Sequence, residues 1–260
     1  MNTSPLHELA QRQLADYDAH HPGRIFEQGA SFLTVAQAYA LQVEVARLRI
    51  QRGEPLAGYK VGCVSEAVRG QLDLQRPVFG HLFATEIYPS GAVLDSARFE
   101  GLAVEGEIAV RIGEDIPDSE WLRRRRDQAI ATAFAVIELH NYVFRSNVRM
   151  AQELIANNAL QAGVVLPAQE RVMKEDTDLL DEGLSVFRNG ELLATAASAL
   201  PRGLFASLLQ LVEHLRKFGL RLRRGQIVLT GSPLPLYRVF AGDRIAVRCA
   251  RLAPVETAIT

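Results

Sequence analysis

The chain has 260 residues, of which 48% are hydrophobic and 23% charged, and its formal net charge is −1. This composition is typical of a globular protein with a sizeable core, and the near-zero charge argues against nucleic acid as a partner. The two cysteines, Cys63 and Cys249, are far apart in sequence, which disfavours both a zinc site and a disulfide framework. Because no apolar run is long enough to cross a membrane and no signal-like segment follows the first residue, we expect a cytoplasmic protein.

Two helices are predicted before the first strand. Helical apolar spacing over residues 5–21 indicates the first, and the second covers residues 34–52, with Thr34 as N-cap and Gly53 just beyond its end. We interpret residues 1–55 as an N-terminal helical cap and residues 56–260 as a mainly β body, although the whole chain could also count as one domain.

Strands dominate the rest of the chain. We predict strands over 58–63, 102–110, 131–142, 160–166, 226–230 and 244–250, and a hairpin over 184–193 that turns at Asn189-Gly190. Residues 78–83 could be a strand or a loop. Helices are expected from Ser65, over 118–129, over 150–157 and over 204–218, and we interpret the basic run 123–126 as a solvated helix face. Because strands and helices do not alternate regularly, the pattern indicates an α+β architecture.

The segment 102–110 carries the first candidate functional residues. Strand side chains alternate in direction, so Glu105 and Glu107 share one face with Ala103 and Ala109. Two carboxylates this close are unfavourable unless a cation or a proton lies between them. The alternative is an ordinary solvated sheet face with a bulge at Gly106.

Glu138 and Lys60 are the other two charged residues in apolar surroundings. An ionised Glu138 inside the apolar strand 131–142 is costly unless it is paired or binds a metal. The alternatives are a raised pKa, a salt bridge to an arginine such as Arg145, or a position at the rim of the sheet. Lys60 lies between Gly58 and Gly62, which permit close approach of a ligand or another strand, although it could equally be a surface residue or half of a structural ion pair.

Together, Glu105, Glu107 and Glu138 predict a site for a hard cation, Mg²⁺ or alternatively Mn²⁺, because all-oxygen ligation disfavours zinc. A 2-oxo acid could occupy open positions through its carboxylate and keto oxygens, and Lys60 would hold its anionic end. His140 shares the strand face of Glu138, so His140 and also His81 are candidate proton carriers; each could instead be a structural histidine.

Several segments occur in an order typical of one family: residues 58–62 (Gly-Tyr-Lys-Val-Gly), 79–83, 105–109 (Glu-Gly-Glu-Ile-Ala), Glu138, 158–159, 229–232 and 241–243. In these segments the chain resembles the fumarylacetoacetate hydrolase superfamily, and within it the branch of 2-keto-4-pentenoate hydratase and 4-oxalocrotonate decarboxylase. The resemblance implies a rolled, twisted mixed β-sheet with peripheral helices, often assembled into homo-oligomers. It also implies Glu105, Glu107 and Glu138 as metal ligands and Lys60 as the active-site lysine. We expect substrate contacts at Phe79, Leu82, Thr230 and Ser232, which lie in the matching segments, and also at Gln161.

The chain departs from the branch at three places. Val78 and Asn157 stand where the branch has aspartates, and the segment 200–203 replaces its Gly-His-Pro. The implied activity is Mg²⁺-dependent hydration of 2-hydroxy-2,4-dienoic or 2-oxo-4-enoic acids to 4-hydroxy-2-oxo acids. Decarboxylation of a 2-oxo diacid is the main alternative. Acylpyruvate hydrolysis is disfavoured because the loop 23–29 has no histidine and only Glu27. A non-catalytic partner subunit is the alternative from another class.

Overall fold

The computed structural model describes residues 4–27, 33–145, 150–173, 183–199 and 203–260. The α-helices within these ranges are α1 (Pro5–Asp18), α2 (Arg24–Glu27), α3 (Val35–Gln51), α4 (Glu66–Gln71), α5 (Ser119–Arg124), α6 (Arg126–Ala129), α7 (Met150–Ala156) and α8 (Leu204–Arg216). The strands are β1 (Leu56–Gly62), β2 (Val78–Phe83), β3 (Ile87–Pro89), β4 (Val93–Leu94), β5 (Leu102–Ile112), β6 (Ile130–Asn141), β7 (Gln161–Leu166), β8 (Arg171–Val172), β9 (Leu184–Arg188), β10 (Glu191–Ala196), β11 (Ile227–Leu229), β12 (Tyr237–Arg238), β13 (Arg244–Cys249) and β14 (Val255–Ile259). The predicted α+β class is confirmed.

The strands form two sheets. The larger one has the order β2-β1-β11-β5-β6-β7-β3, with β12 also pairing with β5 and β8 with β6. It is mixed, because β1 with β11 and β3 with β7 are parallel while the other pairs are antiparallel. The smaller sheet has the order β10-β9-β13-β14-β4. The larger sheet curls so that its edge strand β2 lies against the start of β7, which gives the sheet an inner and an outer face.

The outer face carries the main apolar core. Side chains of β5 and β6 such as Val104, Ile108 and Ile137 pack there with residues of the second sheet and of α8. Gly106 belongs to this face, where an added Cβ would lie 2.7 Å from Val186 and 3.0 Å from Val247. Pairing of β5 with β6 is regular around Gly106 and shifts only near residue 111, so the alternative of a bulge at Gly106 is wrong. The glycine is needed because the second sheet packs so closely.

The two predicted N-terminal helices are confirmed as α1 and α3. Thr34 and Gln37 form a reciprocal capping box at the start of α3. The helices share an apolar cluster with α7 that includes Leu41 and Ile155. Arg49 of α3, a buried residue, binds Glu86 in the turn after β2, which ties the helices to the sheet. The division into a cap (1–55) and a body (56–260) stays a prediction.

Other local predictions had mixed outcomes. The segment 78–83 is a strand, and Asn189-Gly190 is a hairpin turn between β9 and β10, with φ values of 55° and 86°. The helix expected over 118–129 breaks at Arg125 into α5 and α6. In the described part of the chain, no helix is both long and apolar enough to cross a membrane.

Candidate metal centre

The acidic residues come together through the pairing of two neighbouring strands. Glu105 of β5 is directly opposite Glu138 of β6, and Ala103 is opposite His140. Residues paired across an antiparallel ladder share one face, and so do alternate residues along each strand. Glu107 therefore joins the same inner face, beside the pair.

The cluster is almost entirely withdrawn from solvent. Glu107 and Glu138 are fully buried and the Glu105 side chain is 21% exposed. One ligand atom each from Glu105, Glu138 and His140 lies within 4.8 Å of the other two. His140 Nε2 is 3.3 Å from Glu105 Oε2 and 3.4 Å from Glu138 Oε2. The structure therefore adds an imidazole to the predicted carboxylates.

Lys60 lies on β1 and reaches the same cluster. Its Nζ is 2.5 Å from Glu138 Oε1, and both side chains are buried. This contact excludes the rim position considered for Glu138 and also the ion pair with Arg145, which binds Glu100 and Glu27 instead. Lys60 Nζ also donates a hydrogen bond to the carbonyl of Ala159 at 2.9 Å.

The carbonyl that Lys60 contacts belongs to an unusual turn. Asn158, Ala159 and Leu160 have φ values of 55°, 52° and 61°, a left-handed conformation that costs a residue other than glycine roughly 1–3 kcal/mol. The Asn158 side chain holds the turn against β2, since its Oδ1 accepts the N–H of His81 at 2.7 Å and its Nδ2 donates to the His81 carbonyl at 2.8 Å. Asn158 thus occupies the place of a further strand beside β2.

Glu107 is held from the other side by the turn after β11. Its Oε2 accepts the N–H of Gly231 at 2.9 Å. Thr230 Oγ1 donates to the carbonyl of Ile108 at 2.7 Å, and Ser232 Oγ donates to the carbonyl of Gly106 at 3.0 Å. Thr230 and Ser232, both predicted to bind substrate, therefore fasten this turn to β5 and aim the Gly231 N–H at Glu107.

The charges in the cluster shift one another's pKa values. Burial, together with Glu138 and Glu105, raises the pKa of Glu107 well above its usual range. Burial also acts to raise the pKa of Glu138, but Lys60 and His140 outweigh it and hold this pKa well below its usual range. Burial lowers the pKa of Lys60, whereas Glu138 and the other carboxylates raise it, and the net direction is upward. Lys60 is thus an ammonium ion paired with an ionised Glu138.

The donors of this cluster fit a hard cation. Glu107 Oε1 and His140 Nδ1 are buried and make no hydrogen bond within the described part of the chain, while the buried oxygens of Glu138 face Lys60 Nζ and His140 Nε2. Buried polar atoms without partners are rare, and one common explanation is an ion that binds them. Carboxylate oxygens are the ligands that Mg²⁺ and Mn²⁺ prefer. Among the described residues, those whose ligand atoms lie close enough together for one ion are Glu105, Glu138 and His140, and Glu107 as a third carboxylate ligand stays a prediction.

The remaining predicted residues divide between the two faces of the sheet. Leu82 is on the inner face with a small apolar cluster that includes Phe134. Phe79 and His81 alternate with it and lie on the outer face, where His81 packs against Tyr59 with ring centroids 5.3 Å apart. The structure therefore does not bring Phe79 and His81 to the acidic cluster.

Gln161 lies next to the acidic cluster but makes a structural contact. It is buried and is paired with His140 across β6 and β7. Its Nε2 donates to the carbonyl of Gly163 at 2.9 Å, while its Oε1 has no hydrogen-bond partner among the described residues.

The positions that depart from the family pattern differ in their distance from the cluster. Val78 shares the inner face with Lys60, and a Cβ on Gly62 would lie 3.3 Å from Val78 and 3.5 Å from Lys60. Asn157 instead accepts a hydrogen bond from Gln13 of α1. Residues 200–202, and residues 28 and 29 of the segment 23–29, lie outside the described ranges.

Sequence reasoning missed two backbone groups that position the cluster. The Ala159 carbonyl holds Lys60 and the Gly231 N–H holds Glu107. A main-chain group has no sequence signal of its own. The nearest available signals were Asn158, which tolerates a left-handed conformation, and the glycine at 231, which has φ 101°.

The comparisons with known proteins decide the family. The model of the fumarylacetoacetate (FAA) hydrolase C-terminal family matches residues 60–260. The chain belongs to the fumarylacetoacetate hydrolase family. A 2-keto-4-pentenoate hydratase from Burkholderia vietnamiensis is 32% identical over 225 residues, which cover 86% of this chain and 85% of the relative. A 2-hydroxyhexa-2,4-dienoate hydratase from Comamonas testosteroni is 27% identical over 240 residues, 90% of this chain and 86% of that protein.

Solved structures of the fumarylacetoacetate hydrolase family share the fold. The 4-oxalocrotonate decarboxylase from Pseudomonas putida, complexed with magnesium and adipate, superposes with a TM-score of 0.88 at 22% identity, covering 100% of this chain and 99% of that one. A fumarylpyruvate hydrolase from Pseudomonas aeruginosa, complexed with Mn²⁺ and pyruvate, superposes with a TM-score of 0.59 at 15% identity, covering 78% and 88%. The predicted rolled mixed sheet of this family is confirmed.

Proposed function

We propose that this member of the family is a Mg²⁺-dependent hydratase of 2-hydroxy-2,4-dienoic acids, acting through their 2-oxo-4-enoic tautomers and forming 4-hydroxy-2-oxo acids. The observation that carries the proposal is the buried group of Glu107, Glu138 and Lys60, in which Glu107 Oε1 has no hydrogen-bond partner among the described residues. The names of the two hydratases that match most of the chain support the same reaction.

Glu105, Glu107 and Glu138 would hold the ion, and Mn²⁺ fits the same oxygen donors. A bound divalent cation supplies Lewis acid chemistry, which stabilises the negative charge that develops on the C2 oxygen of the substrate. The chain keeps these ligands in place without substrate, because Glu107 is fixed by the Gly231 N–H and Glu138 by Lys60. Preorganised ligands need not rearrange during the reaction.

Lys60 provides the cation that attracts the carboxylate of the substrate. Three glutamates around one divalent ion leave the site with a net negative charge, so an anionic substrate needs a further positive group. Lys60 carries that charge inside the sheet, and the Ala159 carbonyl fixes the direction of its Nζ. The ammonium group acts here by binding and orienting the acid.

His140 is the candidate for moving a proton at the metal site. It is buried on the inner face, and its Nε2 is within 3.4 Å of carboxylate oxygens of Glu105 and Glu138. His81 faces the other side of β2, so we assign it no proton transfer. Leu82 and Val78 are buried on the face of β2 that also faces Lys60, so they would give a bound substrate an apolar wall.

Decarboxylation of a 2-oxo diacid is the second candidate, and Val78 favours it. A side chain that cannot carry a proton lies beside Lys60, where the family branch has an aspartate, and loss of carbon dioxide needs an electron sink and a pocket of low polarity. A 4-oxalocrotonate decarboxylase from Pseudomonas putida is 26% identical over 236 residues. We also propose that the chain forms a homo-oligomer, which light scattering of the purified protein would test.

One experiment separates these reactions. Purified protein with Mg²⁺ is incubated separately with 2-hydroxypenta-2,4-dienoate and with 4-oxalocrotonate, and loss of ultraviolet absorbance is followed by product mass. We expect the first substrate to gain one water. Loss of carbon dioxide from the second alone would establish the decarboxylase. If neither substrate reacts faster than with Glu138→Gln protein, the enzymatic proposal fails and the non-catalytic partner subunit replaces it.

A further inference from the structure

A second cavity lies on the outer side of the sheet, away from the acidic cluster. It has a volume of about 660 Å³ and is enclosed by α3, the segment 73–77, β2 and α8. This volume is in the range of small-molecule sites. The cavity contacts β2 through Phe79, whose neighbours Val78 and Gly80 face Lys60 on the inner side. It is therefore separated from the metal centre by the thickness of one strand.

Aromatic rings form much of the cavity wall. The rings of Phe79 and His214 stack with centroids 4.3 Å apart and an interplanar angle of 25°, and Tyr39 and Phe218 lie 4.4 Å and 5.2 Å from His214. Leu74 and Ile155 are further apolar residues of the cavity wall. Walls of this kind favour a flat ring that can stack against them.

His214 brings an unused polar group to this wall. His214 is only 7% exposed, and its imidazole makes no hydrogen bond with the residues that the structure describes. Burial, aided by the charge of Lys217, lowers the pKa of His214 to about 3, so the ring is neutral and keeps one donor and one acceptor. The neutral imidazole could therefore form a hydrogen bond with a group bound in the cavity.

The charges at the rim select the sign of that ligand. Arg76 and Lys217 line the cavity, and neither has an ion pair among the described residues. Of the two acidic residues at the rim, Glu213 is 3.6 Å from Arg123, which leaves Asp73 as the opposing charge. With Arg123 counted beside its partner Glu213, the rim has three cations and two anions, and the resulting charge of +1 complements an anion.

We propose that this cavity binds a planar aromatic carboxylic acid, with its ring against Phe79 and His214 and its carboxylate towards Arg76 and Lys217. The proposal concerns a site other than the metal centre, and it does not depend on which reaction that centre catalyses. A ligand seated on Phe79 would contact the strand whose opposite face carries Val78.

The test is a titration of Mg²⁺-loaded protein with 4-fluorobenzoate, followed by fluorine NMR, and repeated after metal removal with EDTA. We expect saturable binding that survives EDTA, because the cavity holds no metal ligand. 4-Fluorobenzyl alcohol, which has the ring without the charge, should bind more weakly. The double variant Arg76→Gln/Lys217→Gln should weaken binding of the acid about tenfold, since each exposed charge contributes about fivefold or less.

A blocking variant makes the test independent of charge. Ala36 is exposed at the mouth of the cavity, so Ala36→Trp should fold normally and abolish binding of the acid. The matched control is Ala241→Trp, at an exposed position in the turn before β13, which should bind as the wild type does. Absence of saturation up to about 10 mM, loss of binding with EDTA, or binding unchanged in the charge and blocking variants would overturn the proposal.

Discussion

Asn158 pairs with His81 as a neighbouring strand would, accepting its N–H at 2.7 Å and donating to its carbonyl at 2.8 Å. An added Cβ on Gly80 would lie 2.7 Å from the Asn158 carbonyl, so glycine at that position permits the close approach. One side chain thus closes the edge of the sheet and presents the next carbonyl, of Ala159, to Lys60.

Asn158→Ala should therefore affect both stability and activity. The variant leaves the N–H and carbonyl of His81 without these partners, at a cost of roughly 1–3 kcal/mol each if they stay buried. We expect the free energy of unfolding to fall by about 2 kcal/mol, and kcat to fall far more than Mg²⁺ affinity, because Lys60 loses its fixed position. Urea unfolding, steady-state kinetics and calorimetry measure the three quantities.

Asn189→Ala is the matched control. Asn189 is also left-handed, with φ 55°, and also holds a backbone N–H, that of Arg244 at 2.8 Å, but it is exposed on a hairpin of the second sheet. Its loss should leave kcat unchanged. If both variants lost the same fraction of kcat, a positioning role for Asn158 would have to be abandoned.

Lys60→Met should make the stability of the protein depend more strongly on bound metal. Without the ammonium, the buried carboxylate of Glu138 lacks its cation, which destabilises the metal-free protein by about 3–5 kcal/mol. A divalent ion restores the missing positive charge, so the rise in Tm on adding Mg²⁺ should be larger for the variant than for the wild type. The exposed Lys217→Met serves as control. An equal Mg²⁺ response in all three proteins contradicts the assigned charge balance.

Glu138→Gln should weaken binding of Mn²⁺, the spectroscopic substitute for Mg²⁺, as measured by electron paramagnetic resonance. Loss of a residue that only supports a ligand lowers metal affinity roughly 10–100-fold. Loss of a ligand itself should lower Mn²⁺ affinity by more than that. Glu170→Gln is the control, because Glu170 also accepts hydrogen bonds from β5, at Arg111, but is not one of the clustered ligand residues. Unchanged Mn²⁺ affinity in Glu138→Gln would remove Glu138 from the ligand set.

Gly106→Ala should destabilise the protein although the change is small. The new methyl group would lie 2.7 Å from Val186 and 3.0 Å from Val247, so the two sheets must move apart. Overpacking of this kind costs about 1–3 kcal/mol. Gly70→Ala in α4, where no atom lies within 4 Å of the added Cβ, should instead stabilise by about 0.5–1 kcal/mol. Thermal unfolding of both variants measures the contrast.

Acidification should unfold the protein partly through two buried histidines. Burial lowers the pKa of His214 to about 3 and that of His81 to about 4. Below pH 6.5 these histidines are protonated in the unfolded chain but still neutral in the folded chain. Unfolding therefore takes up protons, and the free energy of unfolding falls as pH decreases. The slope from each histidine is on the order of 1 kcal/mol per pH unit between 6.5 and its folded pKa.

His214→Phe removes one of these groups while keeping a ring beside Phe79. We expect its free energy of unfolding, measured by urea at pH 7 and pH 5, to fall less than that of the wild type over this interval. His20→Phe, at an exposed position, should behave as the wild type does. An identical pH dependence in all three proteins would show that His214 is not the titrating group.

The sequence by itself determined where most helices and strands lie and which face of each strand is polar. Alternation placed Glu105 with Glu107, and Glu138 with His140, because strand periodicity is a local property of the chain. The capping box at Thr34 and the Asn189-Gly190 turn likewise depend only on residues that are close together in sequence. The family followed from the order of several such local segments.

Only the tertiary structure decided which faces meet and which backbone groups the side chains find. Strand register set Glu105 opposite Glu138, and curling of the sheet brought Lys60 onto Glu138. The same alternation that places Lys60 inside turns Phe79 and His81 outward. The carbonyl of Ala159 reaches Lys60 across 99 residues of sequence. Such contacts depend on packing between distant segments, and the energies that select them are summed over the whole fold rather than carried by any one stretch.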